Sequence, residues 1–130
     1  MFNYNDYLEK RDSLLFKEAL EIYQLIDKVL ECKDEYLHEL WGNVIRSALA
    51  YSKVRTEWNY LSREEKQNKD SVRTGLHNAF MTDLKAFYRL SQELELTGDW
   101  FEKLGSSEEF RKRWGDFAGY VLCIESIRAR

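Results

Sequence analysis

The chain has 130 residues, enough for one compact domain with one hydrophobic core. Its formal charge is -3 and both signs are spread along it, which argues against a surface that binds DNA. It contains no proline, the strongest helix breaker, and leucine is abundant relative to β-branched residues. The composition therefore predicts an all-α protein, folded as a single helical-bundle domain over residues 1–130.

Three features of the sequence indicate a cytoplasmic protein. The longest uncharged apolar run, residues 117–124, is much shorter than the ~20 residues that span a bilayer. The first residues, MFNYNDYLEK, lack the basic start and apolar centre of a signal peptide. Cys32 and Cys123 are isolated, which is typical of reduced and partly buried thiols. We therefore expect a cytoplasmic chain that does not bind membranes.

Apolar residues at helical spacing predict two long helices in the first half of the chain. The first spans about residues 5–32, and its apolar phase continues through Asp12 and Ser13. One continuous helix is the favoured interpretation, and a new start capped by Ser13 is the alternative. The second helix spans about residues 34–61, so the turn between the two is expected to be tight.

The stretch from Ser62 to Asp70, SREEKQNKD, contains no apolar residue and is predicted to be a polar linker or mobile loop. A third helix is expected to follow from Ser71 to Leu94, with Asp70 or Ser71 as its N-cap. Gly98 stands just beyond its last turn, where glycine commonly ends a helix.

Two capping patterns follow the third helix. Asp99 and Glu102 have capping-box spacing and predict a single helical turn that stops at Gly105. A second cap within residues 106–109 predicts the start of the last helix, which continues to about Ala129. Because the connections are short, we expect a mostly antiparallel four-helix bundle with a short extra turn before the last helix.

Two charged residues occupy the centres of otherwise apolar stripes. Arg55 lies on the stripe of the second helix, and Asp83 lies on the stripe of the third. A buried charge without a partner is very costly, so each needs a counter-group. We therefore predict a buried polar pair in which Arg55 donates to Asp83, with a tyrosine or His77 as the alternative donor.

Gly115 and Gly119 stand four residues apart on the last helix. Small residues at this spacing allow another backbone to approach closely. Two interpretations remain open at this point: an interface with a partner or a second copy of the chain, and tight packing inside the bundle.

No complete metal or cofactor site is recognisable. Glu35 and His38 have the Glu-x-x-His spacing of di-iron bundles, but the other histidine, His77, has Thr74 three residues before it. The tryptophans fall at helical spacing, which is typical of core residues rather than of a ligand pocket: Trp41, Trp58, Trp100 and Trp114. We therefore expect no metal and no cofactor.

One fragment of the third helix has the residues of an enzyme. Arg73 and His77 lie one turn apart, and Asn78 follows directly. The fragment resembles the Arg…His signature of the HEPN class of helical-bundle ribonucleases, although the intervening segment is shorter here. The resemblance implies RNA cleavage without metal, with His77 as general acid or base and Arg73 against a phosphate. The structural alternative is a pair that packs on a neighbouring helix or binds backbone carbonyls.

The sequence favours a non-catalytic interaction or regulatory module over an enzyme. It is helical throughout, its charges are mixed, and it has no complete catalytic or metal set. The expected partner is another protein or a second copy of the chain, as a homodimer. DNA is not expected, and RNA is expected only if Arg73, His77 and Asn78 form a catalytic site.

Overall fold

A computed structural model describes residues 14–96, 98–105 and 111–129. These residues contain four long helices, one short helix and no strand: α1 (Phe16–Val29), α2 (Glu35–Trp58), α3 (Arg63–Glu93), α4 (Trp100–Leu104) and α5 (Arg111–Arg128). The predicted all-α bundle, with its short extra turn before the last helix, is confirmed. The predicted single domain over residues 1–130 includes ends outside the described residues and stays a prediction.

Large aromatic side chains hold the helices together. α3 packs along α2, α5 packs mainly on α2, and α4 closes against α1. The ring of Phe87 on α3 lies 5.1 Å from that of Trp41 on α2 and 5.8 Å from that of Trp100 on α4, measured between centroids. Such pairs add to the large apolar area that each ring buries. In the described part of the chain, no helix is long and apolar enough to cross a membrane.

The continuous helix predicted over residues 5–32 is interrupted just before Phe16. Leu15 is extended, with φ -82° and ψ 152°, and α1 begins only at Phe16. Leu14 is 1% exposed, and its carbonyl accepts a hydrogen bond of 2.9 Å from the Tyr120 hydroxyl. The prediction of one continuous helix through this point is therefore wrong, and Leu14 is held by α5 instead. The alternative cap at Ser13 lies outside the described residues.

The predicted polar linker is wrong, because residues 63–70 form the first two turns of α3. The Ser62 hydroxyl accepts from the Glu65 backbone N–H at 3.1 Å, and the Glu65 carboxylate accepts from the Ser62 N–H at 3.1 Å. This capping box satisfies two backbone donors at the helix start. Neither Asp70 nor Ser71 is the N-cap. The segment lacks apolar residues because its side chains are mostly exposed, not because it is a loop.

The third helix ends at Glu93, and Glu95 rather than Gly98 adopts the left-handed conformation after it, with φ 57°. The Leu96 N–H donates to the Ser91 carbonyl at 2.9 Å, and the Glu95 N–H donates to the Gln92 carbonyl at 3.0 Å. These two bonds form a Schellman motif, in which glycine is the usual residue at the left-handed position. The prediction that Gly98 ends the helix is therefore wrong.

The short helix α4 ends at Gly105 as predicted, where φ is 93°. Its Asp99 side chain makes no capping hydrogen bond, so the predicted capping box with Glu102 is wrong. α4 is instead held from α5, whose Trp114 indole donates to the Gly105 carbonyl at 2.9 Å. The predicted cap within residues 106–109 lies outside the described residues.

The predicted pair of Arg55 and Asp83 is also wrong. Arg55 forms an ion pair with Asp116 of α5, and Asp83 accepts a hydrogen bond from the Ser47 hydroxyl of α2. Both residues are half-buried rather than central to the core. Each charged residue therefore pairs with the polar side chain that lies next to it along the bundle axis. The apolar stripes of α2 and α3 could not reveal that α5 supplies Asp116.

Candidate functional site

The main candidate site is an open cavity where the middle of α2, the N-terminal half of α3 and the start of α5 meet. Its volume is about 250 Å³. We call it the cationic cavity, and among the residues that the structure describes six line it: Tyr51, Arg73, Thr74, His77, Arg111 and Lys112. Three of these six are cations and none is a carboxylate, a set that attracts anions.

His77 forms the inner wall of the cationic cavity and is only 6% exposed. Its Nε2 lies 3.0 Å from the Arg111 carbonyl, which only accepts, so Nε2 carries the proton and donates. Its Nδ1 is buried without a hydrogen-bond partner. Burial is the main reason that the pKa of His77 lies below its ordinary value, and nearby arginines lower it further. His77 therefore joins α3 to α5 through this bond, and its burial favours the neutral imidazole.

Tyr51, which lies beside His77 in the cationic cavity, packs against a glycine of α5. A Cβ added at Gly115 of α5 would lie 3.0 Å from the Tyr51 hydroxyl oxygen. The Tyr51 ring meets the His77 ring edge to face, with centroids 5.0 Å apart. Gly115 thus lets α5 approach α2. At this position the contacts favour tight packing inside the bundle over an interface with a partner. At Gly119 no described atom beyond the adjoining turns of its own helix lies within 4 Å of an added Cβ, so an interface there stays a prediction.

The two arginines of the cavity are held differently. Arg111 is exposed, and its Nη2 donates to the side-chain oxygen of Asn78 at 3.2 Å. Because Asn78 is uncharged, this bond orients the guanidinium without neutralising it. Arg73 forms an ion pair of 3.0 Å with Asp70, and its guanidinium carbon lies 4.0 Å above the Trp58 ring. Both guanidinium groups are thus positioned beside the cavity before any ligand binds.

A second cavity, with a volume of about 400 Å³, lies along the same part of α3. We call it the tryptophan cavity, and five of the described residues line it: Trp58, Arg63, Lys66, Gln67 and Asp70. Trp58 is half-buried, so its predicted place in the core is wrong. The ion pair of Arg73 with Asp70 connects the two cavities, since Arg73 lines one and Asp70 lines the other.

The fold brings the three sequence-selected residues of α3 to one place. Arg73 and His77 line the cationic cavity, and Asn78 binds the arginine that borders it. Sequence reasoning missed Arg111 and Lys112, which lie more than thirty positions later. The basic run RKR at residues 111–113 is the sequence signal that could have identified them.

The predicted absence of a metal is not tested by the structure, but the position of His38 is informative. Its Nε2 lies 2.7 Å from the Cys32 carbonyl at the turn before α2. Within the residues that the structure describes, no three histidines, cysteines or acidic residues are grouped as a metal site. Cys32 is half-buried and Cys123 is exposed, and both are unpaired thiols.

Similarity to known proteins offers no guide to this site. No protein-family model matches the sequence, and no curated protein or solved structure matches it significantly. The geometry of the two cavities is therefore the basis for proposing a function.

Proposed function

We propose that this chain is a non-catalytic binding module that holds a phosphate-bearing partner in the cationic cavity. One observation carries the proposal: Arg73, Arg111 and Lys112 meet at a cavity whose described lining contains no carboxylate. The formal charge of the whole chain is -3, so a cluster of three cations departs from the average of the chain. A cavity lined by such a cluster attracts anions.

The donor set suits phosphate more than a simple halide. A guanidinium presents a planar fork of N–H donors that matches two phosphate oxygens, whereas a lysine acts as a point charge. The hydroxyls of Thr74 and Tyr51 add neutral donors around the same space. A volume of about 250 Å³ admits a phosphate group together with part of the molecule that carries it.

Titration with inorganic phosphate tests the proposal. We expect the arginine Nε–H signals of Arg73 and Arg111 to shift in NMR spectra as phosphate is added, and chloride at equal ionic strength to shift them much less. Arg111→Gln should weaken binding by about tenfold, since a charged hydrogen bond is lost. The matched control is Arg89→Gln, which removes an exposed arginine of α3 that lines neither cavity. Equal loss in both variants, or no phosphate binding, would refute the proposal.

Cleavage of RNA is the second candidate function, because Arg73 and His77 share a cavity with two further cations. A catalytic histidine needs a ring nitrogen within hydrogen-bond reach of the reacting group. Here Nε2 already donates to the Arg111 carbonyl and Nδ1 is buried. We therefore expect no cleavage of mixed RNA in the presence of a chelator. Cleavage that disappears in His77→Ala would reverse this ranking.

A second copy of the chain remains a proposed partner. The support is Gly119, where the surface of α5 leaves room above the backbone. We expect sedimentation to detect a dimer that Gly119→Leu weakens, because a bulky side chain would hold the two surfaces apart. A monomer at every accessible concentration would remove this part of the proposal.

A further inference from the structure

The two cavities share one helix face. At about 100° per residue, the α3 side chains that line them fall within a single arc: Arg63, Lys66, Gln67, Asp70, Arg73, Thr74 and His77. The same face thus carries a site for an anion and, next to it, an aromatic ring. A ligand that spans both cavities needs a phosphate at one end and a flat group at the other.

We propose that the ligand is a nucleoside phosphate, with its phosphate in the cationic cavity and its base against Trp58. This inference rests on the proposed function, because it names the ligand class of the same site. The connection runs through Arg73, which lines the cationic cavity while its guanidinium lies 4.0 Å above the Trp58 ring. A phosphate bound by Arg73 is therefore separated from the indole of Trp58 only by the Arg73 guanidinium.

Stacking is the first reason for a base. Nucleic acid bases stack on aromatic faces and on guanidinium planes without regard to sequence, and cations beside them hold the phosphates. Trp58 is half-buried at the end of α2, so its position is fixed while part of the ring faces the tryptophan cavity. Arg63 and Lys66 supply further positive charge at that cavity.

Hydrogen bonding at the base edge is the second reason. Gln67 offers both a donor and an acceptor, and Asp70 offers an acceptor, at the border of the tryptophan cavity. Amide and carboxylate side chains are groups that pair with the edges of bases. A phosphotyrosine ring has no such edge groups, so these two residues favour a nucleotide over a phosphorylated peptide.

Binding is measured with purified full-length chain by isothermal titration and by NMR. The probes are inorganic phosphate, 5′-AMP, 5′-CMP, adenosine, a phosphotyrosine peptide and an eight-nucleotide single strand. We expect the nucleotides to bind about tenfold more tightly than inorganic phosphate, which corresponds to one stacked base. The Trp58 indole N–H signal of the wild type should shift more with nucleotides than with inorganic phosphate, which reaches the ring only through Arg73.

Substitution of the ring separates this inference from the proposed function. Trp58→Ala should remove the advantage of nucleotides over inorganic phosphate, measured as the ratio of the two affinities in the same variant, because any loosening of Arg73 lowers both affinities together. Trp58→Leu keeps the bulk of the side chain and should do likewise if the alanine variant does not fold. Tyr60→Ala is the matched control, since Tyr60 is 87% exposed and lies two residues further along. Circular dichroism confirms that each variant is helical.

Each outcome decides the inference. If phosphate binds but nucleotides bind no more tightly, or if Trp58→Ala keeps their advantage, the inference is wrong and the proposed function stands. Equal binding of the phosphotyrosine peptide with the same dependence on Trp58 overturns the assignment to a nucleotide. Absence of phosphate binding removes both proposals. A strand that binds tightly with steep salt dependence identifies nucleic acid as the source, and equal binding of free nucleotide identifies the small molecule.

Discussion

Removal of the Ser62 hydroxyl should open the start of α3. The structure shows that this hydroxyl accepts the Glu65 backbone N–H at 3.1 Å as one half of a capping box. Alanine at an N-cap typically costs about 1 kcal/mol. The Glu65 N–H that loses its acceptor faces water rather than the core. The cost of Ser62→Ala should therefore not exceed this value. The first turns bury few side chains, so the loss should appear mainly as local opening rather than as global unfolding.

Native-state hydrogen exchange measures this opening directly. A loss of about 1 kcal/mol corresponds to roughly fivefold faster exchange of the amides at residues 66–70. Amides in the second half of α3 should keep their wild-type rates. Ser71→Ala is the control, because Ser71 lies exposed inside the helix, where alanine has the higher helix propensity. This variant should exchange at the wild-type rate or more slowly.

The opposite ranking would refute the reasoning. If residues 62–70 were a loop and Ser71 the N-cap, the amides at residues 63–69 would exchange freely in the wild type. Ser71→Ala would then destabilise the helix, and Ser62→Ala would have no effect. A capping box at Ser62 does not permit that result.

Three further predictions concern stability. In urea unfolding, Gly115→Ala should lower the free energy of unfolding by about 1 kcal/mol, because its Cβ would lie 3.0 Å from the Tyr51 hydroxyl oxygen. Gly119→Ala should raise it by about 1 kcal/mol, because no described atom beyond the adjoining helix turns lies within 4 Å of the added Cβ. Equal effects of the two substitutions would contradict the packing. Glu95→Gly should raise the free energy of unfolding by about 1 kcal/mol, since Glu95 has φ 57°, and Glu95→Ala should not. Because burial lowers the pKa of His77 in the folded chain, the unfolded chain binds its proton more readily. Its stability contribution is therefore present above pH 6.5 and lost as the pH falls below that value, and His77→Gln should flatten this part of a stability–pH curve.

Much of the fold follows from local patterns in the sequence. The second helix was predicted over residues 34–61 and occurs at Glu35–Trp58, with Asp34 accepting the Leu37 N–H at 2.9 Å. Gly105 ends the short helix as expected. The error at residues 62–70 was also local, because the Ser62 and Glu65 spacing was present in the sequence. The absence of apolar residues there indicated exposure, and exposure does not distinguish a helix from a loop.

The sequence by itself determined the helical class, the positions of most helices and the pairing of Arg73 with His77 on one helix face. Only the tertiary structure decided which charges meet, because pairs such as Arg55 with Asp116 depend on how helices pack and at what level they cross. It also decided that Arg111 and Lys112 join the residues of α3. Helical periodicity describes one helix at a time, whereas a cavity between three helices depends on their relative positions, which long-range packing sets.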